Sequence, residues 1–194
     1  MRKGKLEKAF TYLESGAVLL VTSSDGKKDN VMTISWQMVL DFTPRFAICT
    51  GSWNDSFKTI LRTKQCTLCV PAVDLLNKVV GIGTVHASQC DKFKHFHLKK
   101  QKPTNVKSPL IADCLAAVEC KLVDYINPYG ILVLDGVQLW ENPLKKEKTT
   151  AKPMFCGCFL LFFVLLIQFE LYHLMKFAEY YFRGTTISIS WCIT

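Results

Sequence analysis

The chain has 194 residues, 49% apolar and 21% charged, which excludes a disordered or collagen-like chain and leaves one domain of ordinary size plus a short appendage. Its net charge of +8 implies attraction to an anion, but the lysines are scattered over residues 2–8, 92–107 and 145–152 without aromatic or Arg-rich readers, so a solvated surface is expected and no nucleic acid partner. Nine cysteines, an odd number in a long chain whose start reads as a charged amphipathic helix and not as a signal peptide, point to reduced thiols in a cytosol and against a disulfide scaffold.

Leu6, Phe10 and Leu13 fall at near-helical spacing before Gly16, which predicts a short helix. Residues 17–22 predict a buried strand, the Asp25-Gly26 pair a hairpin, and residues 30–36 (NVMTISW) the returning strand. A third strand over residues 45–50 follows a turn at 41–44. Residues 51–56 (GSWNDS) open a helix with Phe57, Ile60 and Leu61 on one face. Residues 66–70 read as a strand closed by Pro71, and Asp74 as the cap of a helix that carries Leu75, Leu76, Val79 and Val80 and ends at Gly81 and Gly83. Residues 91–96 make one more helical turn, and a Lys-rich loop runs through Pro103 and Pro109. Long strands over 115–126 and 130–140 complete the domain. Strands interrupted by short helices imply a mainly β (α+β) closed or nearly closed barrel, and the opening hairpin disfavours a βαβ array.

Along residues 30–36, Met32, Ile34 and Trp36 face one way and Thr33 and Ser35 the other. Two hydroxyls on one face line a polar groove or face water. Thr50, Ser52, Asn54 and Ser56 then gather where a helix begins, and its unpaired N–H groups and partial positive charge favour a phosphate. Three or four charge-assisted hydrogen bonds, each about 1.5–3 kcal/mol, would hold a monophosphate. The alternative is an ordinary N-cap by Asn54 or Asp55, and the Asp55 carboxylate would repel a phosphate. Both readings stay open on these residues alone.

Residues 30–36 (NVMTISW), 41–45 (DFTPR) and 50–54 (TGSWN) together resemble the flavin reductase-like, FMN-binding split-barrel family, in its flavoredoxin-type branch. Further matching stretches are 70–74 (VPAVD), 78–83 (KVVGIG), 91–93 (DKF), 109–112 (PLIA) and 129–132 (YGIL), in the same order, so the likeness runs from about Phe10 to Trp140. The resemblance implies a six-stranded barrel that pairs as a homodimer, with FMN in a groove near the subunit contact. By that likeness Asn30, Thr33, Ser35 and Trp36 flank the isoalloxazine and ribityl chain. Thr50, Ser52, Trp53, Asn54 and Ser56 reach the flavin and its phosphate, and Lys92 sits close to the ring, where a cation stabilises the anionic reduced flavin. NADH or NADPH would pass hydride to the flavin, and the electrons would go on to free flavin, ferric iron or a partner protein. No acid–base pair is needed. The alternative is a non-catalytic flavin-binding or interaction protein with an incomplete barrel. A pyridoxamine-phosphate-oxidase-like barrel shares the phosphate logic, but the Thr33–Trp36 stretch fits it poorly.

Cys66 and Cys69 form a CxxC, yet residues three apart on a strand face opposite sides, so buried thiols are expected and no metal. His95 and His97 lie among lysines and read as an exposed loop or helix end. His86 reads as a structural histidine, with a place near the flavin edge as the alternative.

The domain is assigned to residues 1–142, followed by a basic linker at 143–153 and a hydrophobic tail at 154–194. Residues 155–167 contribute much of the mean hydropathy of +0.18. The tail's apolar run falls short of the roughly 20 residues of a comfortable span. Three readings of the tail stay open: a membrane anchor through residues 154–175 on a cytoplasmic protein, a helix packed on the barrel or its dimer partner, and an altered end from a shifted frame or alternative exon.

Overall fold

The structure is a computed structural model and describes residues 1–146. The hydrophobic tail and residues 147–153 of the basic linker lie outside the described residues, and the three readings of the tail with them.

Among the described residues ten strands and four short α-helices follow in order, with 3₁₀ turns between them. They are β1 (Arg2–Gly4), a 3₁₀ helix (Leu6–Tyr12), β2 (Leu19–Ser24), β3 (Asp29–Ile34), β4 (Gln37–Val39), β5 (Arg45–Cys49) and α1 (Asp55–Thr63). After β6 (Gln65–Val70) and a 3₁₀ turn (Val73–Leu75) come α2 (Leu76–Thr84) and α3 (Lys92–His95). The chain continues with β7 (Lys100–Gln101), β8 (Leu110–Ile111), β9 (Ala116–Ile126), β10 (Ile131–Glu141) and α4 (Pro143–Lys146).

The main sheet has the order β3-β2-β6-β9-β10-β5-β4, with β1 added on β10, and all its pairings are antiparallel. Its two ends, β3 and β4, are separated in sequence only by Ser35 and Trp36. Three Cα steps reach at most about 11 Å, whereas six strand spacings of about 4.8 Å would put the edges of a flat sheet roughly 29 Å apart. The sheet must therefore curl until its edges approach, and because β3 and β4 do not pair the result is a split barrel. Six strands have five or more residues, in keeping with a six-stranded barrel. Gln37 Nε2 fixes the corner by donating to the carbonyls of Leu13 at 3.0 Å and Ala17 at 3.2 Å.

The interior is filled from alternate strand positions, among them Leu19, Val21, Met32, Ile34, Phe46, Ile48, Leu68, Val118, Leu132 and Leu134. Among the described residues no helix is long and apolar enough to cross a membrane.

Four elements differ from expectation. The first helix is 3₁₀, and β1 pairs with β10 although Arg2-Lys3-Gly4 has no apolar pattern, because backbone groups alone make that ladder. The strand over residues 30–36 ends at Ile34, where a tight turn with the Gln37 N–H on the Ser35 carbonyl, 3.2 Å, breaks the alternation. Trp36 therefore leaves the face shared by Met32 and Ile34 and is 66% exposed. Helix α2 runs through Gly81 and Gly83 to Thr84; Gly81 admits the Phe96 ring, which lies 2.5 Å from where a Cβ would stand. Asp74 does not cap this helix but pairs with Lys145.

Candidate functional site

Alternation along β3 sends Met32 inward and Thr33 outward, where the Thr33 hydroxyl donates to the Val79 carbonyl of α2 at 2.6 Å. Gly83 of α2 faces the same residue: a Cβ there would stand 3.6 Å from Thr33, an ordinary van der Waals contact. On the other side the chain leaves β5, folds the Trp53 ring over Gly51 and enters α1. A side chain on Gly51 would collide with that ring at 2.2 Å. Asn54 caps α1, its side-chain oxygen accepting the Ser56 N–H at 3.3 Å. Asp91 caps α3 by accepting the Phe93 and Lys94 N–H groups at 3.0 and 3.2 Å, and this holds Lys92 on the first turn.

These pieces enclose a cavity of about 130 Å³ with Met32 and Ile82 as its apolar floor and Thr33, Trp53, Asn54, Asp55, His86 and Lys92 among its walls. A second cavity of about 230 Å³ shares Asp55 and adds Ser23, Lys28, Asn30 and Ser88. Between them runs a buried network: the Ser56 hydroxyl is bonded to Ser23 Oγ at 3.1 Å and to Asn30 Nδ2 at 2.9 Å. Asp55 Oδ2 accepts the Ala87 N–H at 2.8 Å and lies 3.9 Å from His86 Nδ1, which ties the 85–88 loop to the first turn of α1. Lys92 is nearly buried and donates to the Ile82 carbonyl at 3.0 Å. Burial pulls its pKa below the usual lysine value, opposed by Asp55 and then Cys90.

Of the ten site residues read from the sequence, Thr33, Trp53, Asn54 and Lys92 meet in the first cavity, and Asn30 and Ser56 stand at the junction with the second. The other four lie apart from these two cavities. Trp36 borders a separate apolar slot of about 270 Å³ with Met38, Ile48 and Tyr129. Ser35 is half-buried at the corner and Ser52 is exposed. Thr50 is 1% exposed, and its hydroxyl has no partner. The cap by Asn54, one of the two readings of residues 50–56, is present, and Asp55 occupies the first turn.

Met32, Ile82 and His86 line the cavity beyond that set. His86 is not enclosed as a structural histidine would be; its side chain is 66% exposed. Met32 and Ile82 fall within the matching stretches 30–36 and 78–83, whereas His86 lies in none of them. His95 and His97 are exposed at the end of α3. Among the described residues no three His, Cys, Asp or Glu side chains could hold a metal ion together.

An ammonium, an amide, an imidazole and a hydroxyl with free lone pairs thus converge over an apolar floor beside an exposed indole. That donor set suits a flat heteroaromatic ring edged with carbonyl and N–H groups. The residues present fit a flavin.

The model of the flavin reductase like domain matches residues 12–162, past Trp140, where the likeness of motifs ends. An uncharacterised protein of Archaeoglobus fulgidus is 30% identical over 102 residues, 52% of this chain and 58% of that protein, so the chain spans less than two thirds of that relative. The fold is similar to an FMN-binding domain of a flavin reductase-like enzyme from Shewanella baltica, with TM-score 0.69 and 21% identity over 78% of this chain and 81% of the other. It is also similar to flavoredoxin of Desulfovibrio vulgaris, with TM-score 0.63 and 16% identity over 71% and 75%.

Proposed function

The chain belongs to the flavin reductase like domain family, and on that premise we propose that it is an FMN-binding oxidoreductase that takes electrons from NADH or NADPH and delivers them to free flavin, ferric iron or a partner protein. The observation that carries this reading is the convergence of Thr33, Trp53, Asn54 and Lys92, from separate stretches of chain, on one cavity. FMN, when bound, supplies hydride acceptance and onward electron release.

The chain's own residues bind and orient. Lys92 would place a positive charge beside a flavin held in this cavity, where it would favour the negatively charged reduced form. Thr33 spends its proton on Val79 and keeps lone pairs for an N–H group. Asn54 offers an amide N–H₂ while its oxygen caps α1. Met32 and Ile82 would exclude water from a ring bound in the cavity, and Trp53 offers a flat apolar face.

The same reading takes the chain as a homodimer. Support comes from Trp36, Met38, Phe42 and Tyr129, exposed by 66, 57, 85 and 71%, a density of apolar surface that marks contact faces. A cytoplasmic setting suits the buried free thiols of Cys66, Cys69, Cys114 and Cys120.

Purified full-length protein should be yellow and should bleach anaerobically on addition of NADH or NADPH. A colourless protein that takes up no added FMN overturns the reading, and a yellow one inert to both nucleotides removes the reductase step.

A further inference from the structure

The connection from α2 to α3 has no hold on the core, since no residue from Gly83 to Cys90 is buried. Its shape is set locally: the His86 N–H donates to Gln89 Oε1 at 2.7 Å and the Gln89 N–H to the His86 carbonyl at 3.0 Å. Its place is set by two opposite charges on the backbone of one residue. Ala87 donates its N–H to Asp55 Oδ2 of α1 at 2.8 Å, and its carbonyl accepts from Lys28 Nζ of the β2–β3 turn at 2.9 Å. Among the described residues Lys28 is within ion-pair distance of no carboxylate. Asp25, the other acid of the second cavity, is engaged by the N–H groups of its own turn and by Arg62. The clamped residue stands between the two cavities: His86 lines the first, Ala87 and Ser88 the second.

Resting on the flavoprotein reading above, we propose that Asp55 and Lys28 are positioning residues, which clamp Ala87 at its N–H and its carbonyl and so hold His86 at the cofactor cavity, where the imidazole contacts the flavin. Hydrogen bonds with one charged partner are the strong ones, and a segment without apolar anchorage opens easily unless such bonds close it. His86 turns Nδ1 to within 3.9 Å of Asp55 Oδ2, which leaves Nε2 for a carbonyl or N–H group at the ring edge. The clamp also accounts for a carboxylate in the wall of a cavity read as taking an anionic cofactor: Asp55 serves the loop and not the ligand.

The test uses the full chain, unaltered and as Asp55→Ala, Lys28→Met, His86→Ala and the double variants of each of the first two with His86→Ala; thermal melting verifies folding. Amide hydrogen exchange of the free protein reads the clamp. Asp55→Ala and Lys28→Met should each speed exchange over residues 85–89 roughly tenfold and leave residues 57–63 of α1 unchanged. Calorimetric titration with FMN reads the consequence. Asp55→Ala should weaken FMN roughly tenfold, whereas removal of a carboxylate that only stood near an anionic ligand would tighten it. Neither double variant should bind FMN more weakly than His86→Ala alone, because both residues act through His86. Unchanged exchange in the loop, unchanged or tighter FMN binding by Asp55→Ala, or additive losses in the double variants overturns the proposal. If Asp55→Ala does not fold, Lys28→Met, whose replaced residue is exposed, carries the exchange and additivity readouts. An unaltered protein that takes up no FMN brings down the flavoprotein reading and this role of His86 with it; one that binds FMN without regard to His86 brings down the positioning role alone.

Discussion

Lys92 and Ile82 are joined across the wall of the first cavity, the ammonium of α3 donating to a backbone carbonyl of α2 at 3.0 Å. One neutral carbonyl is weak compensation for a side chain that leaves only 7% of the residue exposed. The arrangement serves a ligand better than it serves the fold, since a cation held poorly solvated is available to an incoming negative charge.

The depressed pKa of Lys92 gives this a sign. Between its folded value and the ordinary 10.5, the unfolded chain binds more protons than the folded one. Stability from this group therefore rises with pH through that window, and the cost is fully present below it, at neutral pH. Lys92→Met should stabilise the protein by on the order of 1 kcal/mol and weaken FMN binding roughly tenfold. Urea unfolding near neutral pH and flavin titration read the two effects. A lower urea midpoint in the variant would show that the ammonium is a net structural contributor.

A second buried charge works the opposite way. Glu119 on β9 is fully buried and accepts five donors: the N–H groups of Thr104, Asn105 and Val106 at 2.9, 2.5 and 3.1 Å, the Thr104 hydroxyl at 3.2 Å and the Trp140 indole at 2.7 Å. Its carboxylate fastens the Lys-rich loop to the barrel. Glu119→Gln keeps the shape but turns an acceptor into a donor facing donors, and should cost on the order of 3 kcal/mol. Thr104→Ala, which removes only the hydroxyl, should cost about 1 kcal/mol. Equal urea midpoints for the two variants would refute the ranking.

Local pattern carried much of this architecture. The Asp25-Gly26 pair located the hairpin that joins β2 to β3, and Asn54 is a cap readable from its neighbours. Pattern failed where geometry is set from afar. Apolar alternation continues through Trp36, yet the backbone turns at Ser35, because the barrel must bring β3 and β4 together at one corner. Nothing local in a strand marks Glu119 as buried, since its donors come from residues 104–106 and from Trp140. The cavity was legible only through the likeness of motifs in order: the spacing of Thr33, Asn54 and Lys92 along the chain says nothing of their meeting.

Cys66 and Cys69 supply the last prediction. Cys66 stands directly across the ladder from Cys120, whereas Cys69 faces Ala117, and Cys66, Cys69, Cys114 and Cys120 are all fully buried. Burial pushes the Cys66 thiol up to about 12 and raises Cys114 and Cys120 as well. Since the thiolate is the reactive form, an aromatic disulfide reagent followed by peptide mapping should modify the half-buried Cys49 and Cys90 long before the peptide carrying Cys66 and Cys69. Raising the pH to about 9 should leave Cys66 unmodified, because its thiolate stays scarce until the pH nears its raised pKa. Denaturant should release all four buried thiols together. Modification of Cys66 at the rate of Cys90 in the folded protein would mean that the CxxC is accessible, and a redox role for it would have to be reopened.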